Sequence, residues 1–181
     1  MATGFFSNFG NVWFPISASE SIWINDTTKA VGFLTTYTDN PALWLNYTIK
    51  DGESPEMLSE RMYGTVDYWW IILAFNNIID VYSQWPIDKY YLSDYIEDQY
   101  PLNNVLTDIH HWIMEDGSIT DPVAIGMVKG ISREAAITSY NLSSVTINDY
   151  ETILNDNKRF IKILDPDYIE QVLSDLQSAF A

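Results

Sequence analysis

Polar and apolar residues alternate with period two over residues 47–50. Tyr47 and Ile49 face one side, Thr48 and Lys50 the other, which is the pattern of a half-buried strand. Asp51-Gly52 ends it, because glycine supplies the positive φ of a tight turn. A capped helix is predicted next. Ser54 stands at its N-cap, Pro55 at the first helical position and Glu56 in the first turn, where the helix dipole favours negative charge. Leu58 and Met62 lie four apart and share a face, and Gly64 is placed to be a left-handed residue after the helix. From Tyr68 to Phe75 the chain is then apolar on every side. Such a helix must be covered nearly all round, and it is too short for a bilayer, which takes roughly 20 apolar residues. The chain is organised around this stretch, Tyr47 to Asn76.

The flanks are less regular. Residues 1–46 form an aromatic N-terminal arm in which Phe5, Phe6, Phe9, Val12, Trp13 and Phe14 crowd between Gly4, Gly10 and Pro15 without a sustained period. Within it, Ser21 to Ile24 predicts a strand and Asn25-Asp26 a turn. The arm either packs back over the core or docks on a neighbouring subunit. Residues 77–83 predict a loop, and Trp85-Pro86-Ile87 an aromatic corner. Tyr91, Leu92, Tyr95, Ile96 and Tyr100 share a helical face that Pro101 ends. Residues 105–120 predict a hairpin with a primed turn at Asp116-Gly117, and residues 126–144 fit neither period. Asn148 and Glu151 have the spacing of a capping box. Residues 159–164 alternate as a strand. Asp165-Pro166 then opens an amphipathic helix whose stripe is Ile169, Val172, Leu173, Leu176 and Phe180. The expected fold class is α+β, with a core over 47–100, a hairpin and loop region over 101–150, and a strand plus helix over 151–181 that packs on the core or on a partner.

Composition sharpens this picture. The chain has 181 residues, 47% of them hydrophobic, enough for a real core. Aromatics reach 15%, including 7 Trp and 12 Tyr, an excess that leans towards interaction surfaces. The net charge of −16 repels phosphate backbones and anionic membranes, so neither nucleic acid nor membrane is an expected partner. Cysteine is absent, which excludes disulfides, thiolate nucleophiles and cysteine-based zinc sites. The first residues lack the basic stretch and apolar run of a secretory signal, so a cytoplasmic protein, or one built into a particle there, is expected.

Candidate chemistry is sparse. His110 and His111 are neighbours on a predicted strand and should point to opposite faces, so they are expected to be structural and not joint ligands of one metal. No His-Glu-x-x-His occurs. Gly126 and Gly130 do not make a phosphate loop, since Lys129 precedes the second glycine. No acidic turn has the calcium-loop pattern. The expectation is therefore no catalytic residue, no metal, no cofactor and no small-molecule substrate.

The organising stretch resembles two families. Tyr47, Ile49, Gly52-Glu53-Ser54, Leu58, Tyr63-Gly64, Trp69, Trp70 and Asn76 are similar to the LysM module, a βααβ unit that binds N-acetylglucosamine-containing glycans. The closing strand of that module has no counterpart directly after Asn76. The same residues, with Pro55-Glu56 and Tyr68 to Leu73, also resemble the baseplate wedge protein family of contractile-tailed bacteriophages, a small subunit with a LysM-like fold. Its C-terminal signature is similar to Asn155-Asp156-Asn157-Lys158-Arg159-Phe160-Ile161-Lys162-Ile163-Leu164 and the helix over 166–181. The resemblance spans residues 45–100 and 150–181. It implies a non-enzymatic virion protein of the tail baseplate that bridges or clamps adjacent wedges, with other wedge proteins as partners. Phe5, Phe6, Phe9, Trp13, Phe14, Trp85, Ile169, Val172, Leu173, Leu176 and Phe180 are then the expected interface. The alternative it leaves is a glycan-binding module for peptidoglycan or chitin.

Overall fold

The computed structural model describes residues 10–17, 19–26 and 35–180, with only the backbone at Thr35, Thr36, Leu176, Gln177, Ala179 and Phe180. The chain forms two compact units, Met1–Pro86 with Lys158–Ala181, and Ile87–Asn157. The divisions at 86 and 157 fall inside the segments 47–100 and 151–181 expected from the sequence. The architecture is mixed helix and antiparallel sheet, as the α+β reading required.

The first unit opens with a hairpin of β1 (Asn11–Pro15) and β2 (Ser21–Asn25), which among the described residues pair only with each other. The register sets Val12 opposite Ile24, Trp13 opposite Trp23 and Phe14 opposite Ile22. The Ile16 and Ser17 N–H groups both donate to the Glu20 carbonyl and close the loop. β2 was expected, whereas β1 was not. Both faces of the hairpin are apolar, so β1 has no polar positions to alternate with.

After α1 (Thr35–Thr38) comes β3 (Trp44–Thr48), which answers the alternation at Tyr47. Its partner is β7 (Phe160–Leu164), in register from Trp44↔Leu164 to Thr48↔Phe160. The ladder runs past both ends, with Ile49 N–H donating to the Arg159 carbonyl at 2.9 Å and Asp165 N–H to the Leu43 carbonyl at 2.9 Å. The strand missing directly after Asn76 thus comes from more than eighty residues further along the chain. Between them lie α2 (Pro55–Tyr63) and α3 (Trp69–Phe75), giving the order strand, helix, helix, strand.

The helix signals of α2 hold. Ser54 Oγ accepts from the Met57 N–H, and Gly64 adopts φ 72° with its N–H on the Glu60 carbonyl. α3 is apolar all round because it serves two cores. Trp70, Ile71 and Phe75 join Tyr37, Leu164, Ile169 and Val172. Ile72 and Leu73 join Ile49, Leu58, Trp85, Ile161 and Ile163. The loop expected over 77–83 contains the start of a short helix, α4 (Val81–Gln84), whose Asp80 cap accepts from the Tyr82 N–H. The unit ends in α9 (Ile169–Phe180).

The second unit contains α5 (Lys89–Gln99), as the spacing of its aromatic residues predicted, and a sheet of order β5-β4-β6. Here β4 is Ile109–Ile113, β5 Ile119–Thr120 and β6 Ser143–Thr146. The β4–β5 turn differs from the two-residue primed turn. Gly117, at φ 82°, donates its N–H to the Met114 carbonyl, and Met114 N–H pairs with the Ser118 carbonyl, which makes a three-residue loop. The stretch without a period holds α6 (Pro122–Lys129) and α7 (Arg133–Ser139), capped by Asp121 and Ser132. They meet so closely that a Cβ on Gly126 would lie 2.8 Å from the Ile131 carbonyl oxygen. α8 (Ile147–Asn157) starts before Asn148, and Thr146 Oγ1 accepts from the Asp149 N–H in its place. Asn155, only 2% exposed, holds the backbone of Ile87 at both ends, accepting from its N–H at 2.7 Å and donating to its carbonyl at 2.9 Å.

Candidate interaction surface

The β1–β2 hairpin departs from the rule that apolar strands are covered. Trp13 is 59% exposed, Trp23 57% and Phe14 53%. Directly opposite residues of an antiparallel pair share a face. Trp13 and Trp23 therefore form one face, their ring centroids 4.5 Å apart, while Val12, Phe14, Ile22 and Ile24 form the other. Glu20, in the loop, is the one charged side chain between Asn11 and Asn25. Two strands alone are marginally stable in water, so a hairpin apolar on both faces gains from any surface that covers it.

Other expected interface residues are used internally. Trp85, Ile169 and Val172 are buried in the cores of the first unit, and Leu173 is half-buried against them. Trp85 is fixed further by its indole N–H, which donates to the Glu53 carbonyl at 2.8 Å. Within this chain the aromatic corner at Trp85 and the part of the α9 stripe at Ile169, Val172 and Leu173 pack inside the first unit. Phe5, Phe6 and Phe9, and the side chains of Leu176 and Phe180, lie outside the described residues.

The motif residues form a framework. Tyr47, Glu53 and Arg61 make one network around the turn at Gly52. The Tyr47 hydroxyl donates to Glu53 Oε2 at 2.9 Å, the Lys50 N–H reaches the same oxygen at 3.0 Å, and the Arg61 guanidinium joins both side chains. Burial, then the Glu53 carboxylate, raises the Tyr47 hydroxyl above its ordinary pKa. Glu53 is buried and Glu56 is exposed on the first turn of α2. Pro55 is buried at the start of α2. Tyr63 donates to the Leu164 carbonyl at 3.2 Å, and burial raises its pKa, with Asp165 adding to the effect. Trp70 is buried and Trp69 half-buried on α3.

Asn76 has the most specific task. Its Nδ2 donates to the Ile72 carbonyl at 2.8 Å and to the Lys162 carbonyl at 2.7 Å, while its Oδ1 accepts from the Lys162 N–H at 2.8 Å. One side chain thus ends α3 and occupies the outer edge of β7 as a neighbouring strand would. Nothing in the sequence signalled this, since its partner is 86 residues away.

The histidines differ from expectation. The β4–β6 register shifts between Ile109 and His111, a bulge that turns the two rings towards each other. His110 Nδ1 and His111 Nδ1 are 2.8 Å apart. Tyr150 of α8 stacks on His110 at 3.9 Å and meets His111 edge-on at 5.6 Å. Among the described residues no group of three or more His, Cys, Asp or Glu could hold a metal ion, and no helix is long and apolar enough to cross a membrane.

An apolar projection beside a closed framework is the build of a subunit made to be joined to others, and comparison with known families points to the class: structural baseplate wedge proteins of phage tails. The chain belongs to the family of base plate wedge protein 53, whose family model matches residues 24–123. The match includes the 45–100 stretch recognised in the sequence, extends beyond it on both sides, and leaves 150–181 outside. No curated protein matches the chain. Membership implies a structural role in the tail baseplate, in association with other baseplate components.

Proposed function

We propose that this chain bridges adjacent wedges of a contractile-tail baseplate, with the β3-α2-α3-β7 body as a LysM-like rigid block and the β1–β2 hairpin as the grip. The observation that carries the reading is the hairpin itself, apolar on both faces and exposed on both. Covering each large side chain would contribute about 1.5–3 kcal/mol, and interface hot spots are enriched in Trp and Tyr. The role is non-enzymatic, its partners being other wedge proteins and its site the virion tail assembled in the host cytoplasm. The test is reconstitution of wedges into rings. Omitting the chain, or supplying Trp13→Ala/Trp23→Ala, should stop ring closure, and closed rings in its absence would refute the role.

The strand, helix, helix, strand order also favours a second reading, a LysM-type glycan-binding module. Retention of the intact protein on chitin or peptidoglycan supports that reading, and passage through both removes it.

A further inference from the structure

We propose that His110 and His111 form a two-imidazole site for a divalent transition-metal cation, with water completing the coordination. Neighbouring residues on a regular strand point apart. Here the bulge and the stacked Tyr150 ring keep both imidazoles convergent, with one nitrogen of each at 2.8 Å from the other. Two neutral imidazoles can share one hydrogen bond at that distance, and a cation can take the place of the shared proton once the donor ring has lost it from Nδ1 and gained one from solvent at Nε2, so that both Nδ1 atoms offer lone pairs. With metal–nitrogen bonds of about 2.0–2.1 Å, nitrogens 2.8 Å apart subtend roughly 85–90° at the metal. That is the angle between adjacent ligands in square or octahedral coordination, the preference of copper(II) and nickel(II). Tetrahedral zinc needs roughly 3.3 Å between the nitrogens and would require the rings to part. Nitrogen donors disfavour calcium and magnesium, which take oxygen.

The surroundings favour a cation. Residues 87–157 carry twelve acidic and three basic side chains, and a field of one sign raises the local concentration of its counter-ion. His110 is exposed and His111 half-buried, so an ion can reach the pair from solvent.

The experiment uses the full chain, untagged and stripped with chelator, titrated with nickel(II) chloride by calorimetry. One equivalent is expected, with magnesium chloride giving no heat. His110→Gln and His111→Gln should each weaken nickel binding by about tenfold or more, with an unchanged far-UV circular dichroism spectrum. In the wild-type protein, substoichiometric nickel(II), which is paramagnetic in octahedral coordination, should broaden the ring resonances of both His110 and His111 ahead of those elsewhere in the chain. Nickel binding that survives the double substitution His110→Gln/His111→Gln overturns the site, as does broadening of only one of the two rings or the absence of binding.

Discussion

β1–β2 and β3–β7 are each two five-residue strands in antiparallel register, yet one is open and the other closed. The hairpin is joined by a short loop and leaves its tryptophans more than half exposed. The second sheet joins strands over a hundred residues apart, buries Ile161, Ile163 and Leu164, and has the β7 edge occupied by Asn76. Strand propensity is the same in both. What differs is cover: α3 lies against β7, and no described element is paired with the hairpin. In the protein's own fold the aromatic residues of α3 are structural, whereas those of the hairpin are surplus.

Substitutions should separate the two sheets. Trp70→Ala, at a 4% exposed position, should cost about 3–5 kcal/mol in chemical denaturation, enough to threaten folding. Asn76→Ala leaves the Lys162 N–H and two carbonyls without their partner and should cost about 1–3 kcal/mol. Gly64→Ala, forcing a Cβ into φ 72°, should cost about 1–2 kcal/mol by the same measurement. A fourth effect depends on pH. Burial, then the hydrogen bond to Asp175, raises the Tyr37 hydroxyl from 10.0 to about 12. The folded state therefore holds that proton more tightly than the unfolded chain. Its contribution is complete below pH 10 and is lost as the pH climbs towards 12. Tyr37→Phe should remove this part of the alkaline loss of stability, read from unfolding midpoints against pH. The smallest effect belongs to the hairpin. Trp13→Ala should change the stability of the free chain by less than about 0.5 kcal/mol, and a larger loss would mean that the hairpin supports the fold.

The sequence was most legible where structure is local. Ser54, Pro55 and Gly64 state the limits of α2 by their own chemistry, and the apolar run of α3 marks the core. β1, α6 and α7 were illegible for physical reasons: a strand exposed on two apolar faces has no alternation, and helices of seven or eight residues give too few turns for a stripe. The stripe on α9 left both the core and a partner open as its cover, because periodicity shows that a face is buried and not by what. Ile169 and Val172 meet Tyr37 and Phe75 of their own chain. The roles of Asn76 and Asn155 were invisible, since a buried amide is recognised only once its distant partner is known. The histidine pair was misread because one bulge cancels the alternation that separates neighbours.

The placement of β7 sets a timetable for biosynthesis. β3 leaves the ribosome more than a hundred residues before the strand that pairs with it. At roughly 5–20 residues per second, the nascent chain waits on the order of ten seconds with that ladder unformed, while everything from Ile87 to Asn157 emerges and can settle first. The block that emerges first is therefore finished late, and a chain cut short before Phe160 would have a first unit that never closes.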